Sequence, residues 1–429
     1  MTEPHPFDGT ARIVRRRRQV NHEDLISNRI TGICRVPYHL RKLNEEAYTP
    51  QVISIGPFHN QEDSKRLRTT QGLKEEYSER FWQRVTAEIK DNISRFVKEE
   101  GTKKQICEFY GEKICPSDDS LPELVLADAV FILELFLRCR LRDGPREDPM
   151  FKESFLFQTV IDDLLLLENQ LPFWFLEEVF RRASLVYRDV SSVRQLTFEF
   201  FKAFNVQNIS HENFDVKILH FTDLLRVFLL PQSLWPSSTQ SPQRGNKKVK
   251  LLYSATQLQE AGVKFKVSSN KGLTGLKFEN GVLEIPCLEL YDTTEALIRN
   301  IMALEQICYI RNGYVTDYFQ MLDFLTNTTK DMDLLCDRKI VDNYLGDNNA
   351  ATSIVNNLHK NILWVGLSPD YCDLCESLNK FYEDPRHKWK AILKRDYFST
   401  PWRTVSTVAV AILFVLTFIQ TVCSLLQVL

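Results

Sequence analysis

The chain has 429 residues, with 54 basic and 56 acidic side chains and a formal net charge of −2. At 44% hydrophobic and 26% charged residues it has the composition of a folded globular protein, which excludes wholesale disorder. The balanced charge argues against a general nucleic-acid binder, which needs a net basic field. Phenylalanine is abundant (28) and glycine scarce (15), which disfavours loop-rich β architecture and glycine-built phosphate cradles.

Length allows two or three domain-sized units or one large lobed domain. Residues 1–28 are polar and poorly patterned and read as a flexible basic tail. The four arginines at 15–18 suit a nuclear signal, a contact with anionic lipid, or plain solvated tail. A helical lobe is expected over 29–230. Within it, Leu73, Tyr77, Phe81, Val85 and Ile89 recur at fours and predict a helix over 70–100. Residues 121–139 form a strongly apolar helix interrupted by Asp128 and Glu134. A further helix is expected over 155–181. It must break or kink at Pro172, which lacks an N–H and clashes with the preceding turn. Asn169 and Gln170, after Glu168, are suited to bond the freed backbone groups.

Pro231, Pro236, Ser237, Ser238, Pro242, Gly245, Asn246, Lys247 and Lys248 mark a polar connector over 231–249. The second lobe, 250–398, opens with a capping box of Ser254 and Gln257, and Gly262 is placed to stop that helix. Asn280-Gly281 supplies the positive φ angles of a two-residue hairpin turn. Counting outward, Phe278 faces Leu283, Leu276 faces Ile285, and Lys277 faces Glu284 on the other side. Val263, Phe265 and Val267 alternate and offer a third strand. Asp292 with Glu295 is the expected cap of a helix through Leu297, Ile301, Met302 and Leu304. Helices are expected over 315–326, 331–346, 350–360 and 371–397. There is no internal repeat.

Residues 399–429 read as a membrane-proximal segment and a transmembrane helix. No charge occurs from residue 405 onward, and Val405, Val408, Ile412, Phe414, Leu416, Phe418 and Ile419 lie in a run longer than the roughly 20 residues needed to cross the hydrocarbon core. Arg386, Lys388, Lys390, Lys394, Arg395 and Arg403 precede this run, so the positive-inside rule puts the body in the cytoplasm. Trp389, Tyr397 and Trp402 suit a headgroup-level belt. The beginning of the chain shows no signal peptide, since no apolar stretch follows the arginines. Ten scattered cysteines fit a reducing compartment, and the sequons at Asn92, Asn208 and Asn327 should stay unmodified there.

Chemistry is hard to find. Walker loop, dinucleotide fingerprint, nucleophile elbow and His-Glu-x-x-His are all missing. Cys372-Asp-Leu-Cys375 lacks the second pair that zinc wants and reads as two helix-borne thiols one turn apart. Asp162, Asp163 and Glu168 could be acid/base groups but fit better on a wet helix face or near a helix N-terminus, where the dipole favours them. His220 and Asp223 lie three apart on an apolar helix and read as a hydrogen-bonded pair within the fold. His59 follows a tight Gly-Pro turn, Gly56-Pro57. No catalytic, cofactor-binding or metal residue is assigned, and no cofactor or nucleic acid is expected.

Ordered blocks carry a resemblance. They are Arg35-Val-Pro37, Tyr48-Thr-Pro50, Ser54-Ile-Gly-Pro-Phe-His59, Asp128-Ala-Val-Phe-Ile-Leu-Glu134 and Asp163-Leu-Leu-Leu-Leu-Glu-Asn-Gln-Leu-Pro-Phe173. Later come the block from Ser254 to Phe265, Asn280-Gly-Val-Leu-Glu-Ile-Pro286, the block from Arg299 to Gln306, and Tyr397-Phe-Ser-Thr-Pro-Trp402. Over residues 30–425 the chain resembles the plant domain-of-unknown-function 247 family. It departs where the family has Tyr-His-His-Gly (Phe58-His59-Asn60 here) and His-Leu-Leu-Asp (His220 to Asp223 here). The resemblance implies a plant source and a C-terminal anchor. Some family members are implicated in grass self-incompatibility, others in stress or development.

The expected fold is predominantly α (α+β), a multi-helix body with a small antiparallel hairpin sheet in its second half and one C-terminal transmembrane helix. The expected function is membrane-anchored recognition or signalling through an unknown protein partner. An enzyme acting at the membrane surface is the alternative. The polar loops 141–150 and 236–248 are candidate contact surfaces.

Overall fold

The computed structural model describes residues 32–59, 65–111, 120–141, 148–183, 190–235, 249–273, 275–363, 366–387, 389 and 401–428. The basic tail and residues 236–248 of the 231–249 connector lie outside these residues, as do positions 142–147 of the first candidate loop and Lys388, Lys390, Lys394, Arg395 and Tyr397.

Helices dominate, and their faces follow the apolar spacing. The stretch predicted as one helix over 70–100 is two, Lys65–Gln83 and Ala87–Lys98. The break falls at Thr86, whose backbone is extended and whose hydroxyl accepts from the Ile89 N–H, a standard N-cap. Tyr77 and Phe81 are fully buried against helix Ser120–Leu141. Residues 128–138 of that helix are buried on every side, with Asp128, Glu134 and Arg138 among the apolar side chains, so it runs through the centre of the body. Helices Glu100–Tyr110, Ser154–Leu165, Phe173–Ala183, Val193–Phe200 and Phe221–Leu229 make up most of the rest of the first half. Much of their packing is aromatic: Phe136 stacks on Phe200 at 4.3 Å between ring centroids, and Phe201 meets Phe221 at 5.2 Å. Each such ring contributes about 1.5–3 kcal/mol by leaving water.

In the second half, the capping box of Ser254 and Gln257 is formed. Asn280 and Gly281 both take positive φ, 51° and 74°, and pair β2 (Lys277–Glu279) antiparallel with β3 (Val282–Ile285). Phe278 faces Leu283 and Lys277 faces Glu284. The charges resolve differently from expectation: Glu284 pairs with Lys266 at 2.8 Å, while Lys277 turns to Glu279 at 3.0 Å. Lys266 belongs to β1 (Lys264–Val267), which joins β3 in parallel and gives the order β1-β3-β2.

Three boundaries move. Helix Thr294–Cys308 has Thr293, not Asp292, at its N-cap position and no side-chain cap, and Glu295 faces Arg299 and Asn44. The helix predicted over 331–346 stops at Asp337. Lys339 takes φ 59°, and Val341–Asn343 becomes β5, paired in parallel with β4 (Leu288–Leu290). The helix predicted over 371–397 runs Pro369–Glu383 and stops just before Pro385, a residue that restricts its predecessor to extended backbone. Helices Tyr314–Leu325 and Asn348–Leu358 lie where the periodicity places them.

One continuous hydrophobic cluster runs from Ile33 to Leu378 and joins both halves. Outside it, helix Pro401–Val428 includes a 21-residue apolar stretch, Thr404–Ser424, none of it buried. Among the described residues it is the helix long and apolar enough to cross a membrane.

Candidate functional site

The segment 32–59 has little regular structure of its own, only single turns at Tyr38–Arg41 and Glu46–Tyr48. Its backbone polar groups still need partners. They find them on the 163–172 block, which makes that block the most distinctive polar site of the body.

The break ahead of Pro172 begins early. Helix Ser154–Leu165 ends, residues 166–172 run without helix, and a new helix starts at Phe173. Asp163, at the last turn, is buried. Its carboxylate accepts from the N–H groups of Gln51, Val52 and Ile53, each at 2.8 Å. This corrects the expectation of a wet helix face. Burial pushes the Asp163 carboxyl up to about 6 against the pull of those three donors.

Asn169 accepts from the Ile55 N–H at 2.6 Å and donates to the carbonyls of Ile53 (3.0 Å) and Asp163 (2.8 Å). Gln170 donates to Leu164 and Leu166 at 2.6 and 2.9 Å and accepts from the Phe221 N–H at 2.9 Å. The two amides therefore bond carbonyls at the end of the helix and also stitch in segments from elsewhere. Gly56 takes φ 72°, and a Cβ there would meet the Gln170 carbonyl at 2.9 Å and the Tyr110 hydroxyl at 3.1 Å. Only glycine fits this approach. The Gly56 N–H donates to Asp128, which also pairs with Lys74, and Lys74 donates to the Ser54 carbonyl.

Glu168 closes the site nearest solvent. It accepts from the Val36 N–H at 2.5 Å and pairs with Arg41 at 2.7 Å. His59 Nε2 lies 3.8 Å from the same Glu168 oxygen that holds Arg41. Burial, then the cations Arg41 and Arg35, hold the His59 ring down to about 4, so it is neutral at pH 7. Arg35 also lies over the Phe58 ring at 4.7 Å. A neutral imidazole, a carboxylate and a guanidinium thus converge, and the sequence paired none of them.

A second buried cluster lies deeper. His220 is not within a helix but is the N-cap of Phe221–Leu229: its Nδ1 accepts from the Asp223 N–H at 3.4 Å. The Asp223 carboxylate accepts from the Leu219 N–H (3.1 Å) and the Tyr309 hydroxyl (2.7 Å), so the two side chains do not bond one another. Burial holds His220 down to about 4. Arg226 meets Glu305 at 2.9 Å, donates to the Asn312 carbonyl at 2.6 Å and lies over the Tyr309 ring at 4.1 Å. Glu305 also accepts from the Thr316 N–H and hydroxyl at 2.8 and 2.7 Å. Beside it is a small open crevice lined by Glu305, Thr316, Asp317, Gln320 and Leu367. The one sequence signal for this cluster was charge inside apolar runs.

Cys372 and Cys375 are buried on one helix, the first bonding the Leu367 carbonyl and the second the Met321 sulfur. Among the described residues no group of three or more metal-binding side chains occurs. Cys107 is disulfide-bonded, contrary to a uniformly reduced set.

The residues that meet at Asp163 to Pro172 come from blocks far apart in the chain, and those blocks are the ones that carry the family resemblance. A family model described as "Plant protein of unknown function" (DUF247) matches residues 33–416. UPF0481 protein At3g47200 of Arabidopsis thaliana is 27% identical over 419 residues, covering 92% of this chain and 86% of that protein. Putative UPF0481 protein At3g02645, also of Arabidopsis thaliana, is 22% identical over 173 residues, 39% of this chain and 32% of that protein. No solved structure matches. The chain belongs to the DUF247 family of plant proteins of unknown function.

Proposed function

We propose that the chain is a membrane-anchored recognition or signalling protein that works by protein–protein contact. The observation that carries this reading is the use made of the distinctive polar block. Asp163, Asn169 and Gln170 direct their side chains to the chain's own backbone. The block therefore supports a shape and leaves the surface to do the work. The exposed Thr404–Ser424 helix supports the anchor, because a stretch so apolar is unfavourable in water. The test is affinity capture from native tissue with the full chain and with a version ending at Ser399. Retrieval of the same specific protein by both supports a recognition body. Retrieval of nothing above background by either counts against it.

The basic residues ahead of the span support a cytoplasmic body. The Cys107 disulfide pulls the other way, since disulfides persist in oxidising compartments. Asn92, Asn208 and Asn327 are all exposed, so a lumenal body would present them for glycosylation. Endoglycosidase treatment of the native protein decides: no mobility shift keeps the cytoplasmic placement, and a shift overturns it. A finer form, drawn from the family resemblance, is a self-incompatibility determinant. Strong allelic divergence on exposed loops would support it, and a nearly invariant population sequence would sink it.

One observation favours an enzyme as the second reading: neutral His59 beside Glu168 and Arg41. Substrate screening of the native chain against His59→Ala tests it, with an activity lost in the variant as the supporting result.

A further inference from the structure

Two half-buried cysteines from opposite ends of the body meet at the start of the 32–59 segment. The Gly32 carbonyl accepts from Cys34 Sγ at 3.7 Å and from Cys308 Sγ at 3.9 Å. The two sulfurs therefore share one acceptor oxygen, and each perturbs the ionisation of the other. Their surroundings are fixed. Gly32 is wedged against helix Glu100–Tyr110, where a Cβ would come within 1.9 Å of the Phe109 carbonyl, and the Ile33 N–H donates to that carbonyl at 2.9 Å. Cys308 is the last residue of helix Thr294–Cys308, and Val36, Leu40 and Tyr48 pack on the Ala303 and Leu304 face of that helix.

We propose that Cys34 and Cys308 form a reversible disulfide that latches the 32–59 segment onto the end of the 294–308 helix. Both sulfurs lie within 4 Å of the one Gly32 oxygen, so closing to a bond of about 2.05 Å needs side-chain rotation and an approach across that oxygen. The pair is asymmetric in the way exchange requires. The neighbouring Cys308 favours the Cys34 thiolate, while Cys34 and burial disfavour ionisation of Cys308.

The oxidant is a low-molecular-weight disulfide such as oxidised glutathione. Cys34 loses its proton to solvent and its sulfur attacks one glutathione sulfur. A mixed disulfide forms and one glutathione thiolate leaves, taking up a proton. Cys308 then gives up its proton and attacks the Cys34 sulfur, and the second glutathione leaves as a thiol. Two protein thiols are oxidised and one small disulfide becomes two thiols. The bridge adds a covalent tie to a segment whose near end is held by packing of Ile33 and Val36 and by two hydrogen bonds, Ile33 to Phe109 and Val36 to Glu168.

The test uses the full chain in lipid nanodiscs, incubated with oxidised glutathione and read by thiol alkylation, peptide mass spectrometry and amide hydrogen exchange. The expected result is a linked peptide joining Cys34 and Cys308, with both thiols lost from labelling together. Exchange over residues 33–37 should slow about tenfold and return with dithiothreitol. Cys308→Ser should stop the chemistry at a glutathione adduct on Cys34. A stable adduct on Cys34 in the wild-type chain, with Cys308 still open to alkylation, overturns the bridge. A bridge that leaves exchange over 33–37 unchanged overturns the latch.

Discussion

Replacing Asn169 with alanine removes three hydrogen bonds at once. The Ile55 N–H loses its acceptor at 2.6 Å, and the carbonyls of Ile53 and Asp163 lose donors at 3.0 and 2.8 Å. The amide orientation is fixed by these partners, because the reverse would set oxygen against two carbonyls. Asn169 is fully buried, so water cannot take its place without opening the fold. An unpaired buried polar group costs about 1–3 kcal/mol, and the N–H suffers more than a carbonyl with a second lone pair. The variant should therefore lose about 3–5 kcal/mol, a large part of the roughly 5–15 kcal/mol that folded domains have. Asn169→Asp keeps the size and the acceptor for Ile55 but turns a carboxylate toward two carbonyls. It should be at least as damaging. Denaturant unfolding of the detergent-solubilised chain measures the loss, and hydrogen exchange over 51–56 locates it. A loss under about 0.5 kcal/mol in both variants, with the Ile55 amide as protected as before, would refute the reasoning that this block clasps the 32–59 segment.

Arg226→Met should cost about 3–5 kcal/mol, since it strands Glu305 as a buried charge. Adding Glu305→Gln should recover part of that loss, and equal instability of the single and double variants in a denaturant titration would contradict the ion-pair account. His220 is held at about 4, below its ordinary 6.5, so the unfolded chain takes up the proton first as pH falls. The stability it contributes is complete above about pH 6.5 and fades toward pH 4, with about 2 kcal/mol gone by pH 5. His220→Asn keeps a capping acceptor without titrating, so its loss between pH 7 and 5 should be smaller than wild type by that amount. Parallel pH profiles would reject the assignment. Gly32→Ala places a methyl 1.9 Å from the Phe109 carbonyl and should cost about 1–3 kcal/mol, with exchange rising at Ile33. Unchanged melting and exchange would mean that the segment start is not seated as described.

Local signals survive into the structure where the deciding atoms are neighbours in sequence. Ser254 with Gln257 caps its helix, and Asn280-Gly281 turns its hairpin, because each interaction closes within four residues. The same reasoning misplaces ends whose cause is remote. Residues 341–343 leave the helical pattern because β4, some fifty residues earlier, offers them a parallel partner. The candidate site divides in the same way. Asn169 and Gln170 were legible as partners for a helix broken near Pro172, since the carbonyls of Asp163, Leu164 and Leu166 are close in the chain. That Asp163 would bind the N–H groups of 51–53 was not legible, and the carboxylate instead looked like a wet helix face.

Composition and pattern by themselves determined a largely helical body, a hairpin, and an apolar helix with nowhere to bury itself, because hydrophobic periodicity and uncharged length are properties of contiguous sequence. Tertiary structure alone decided which charges meet. Lys74 with Asp128, Arg41 with Glu168, Arg226 with Glu305, and Cys34 with Cys308 each join distant segments. A buried charge or thiol takes its character from what folding places beside it, and that neighbour is written nowhere near it in the sequence.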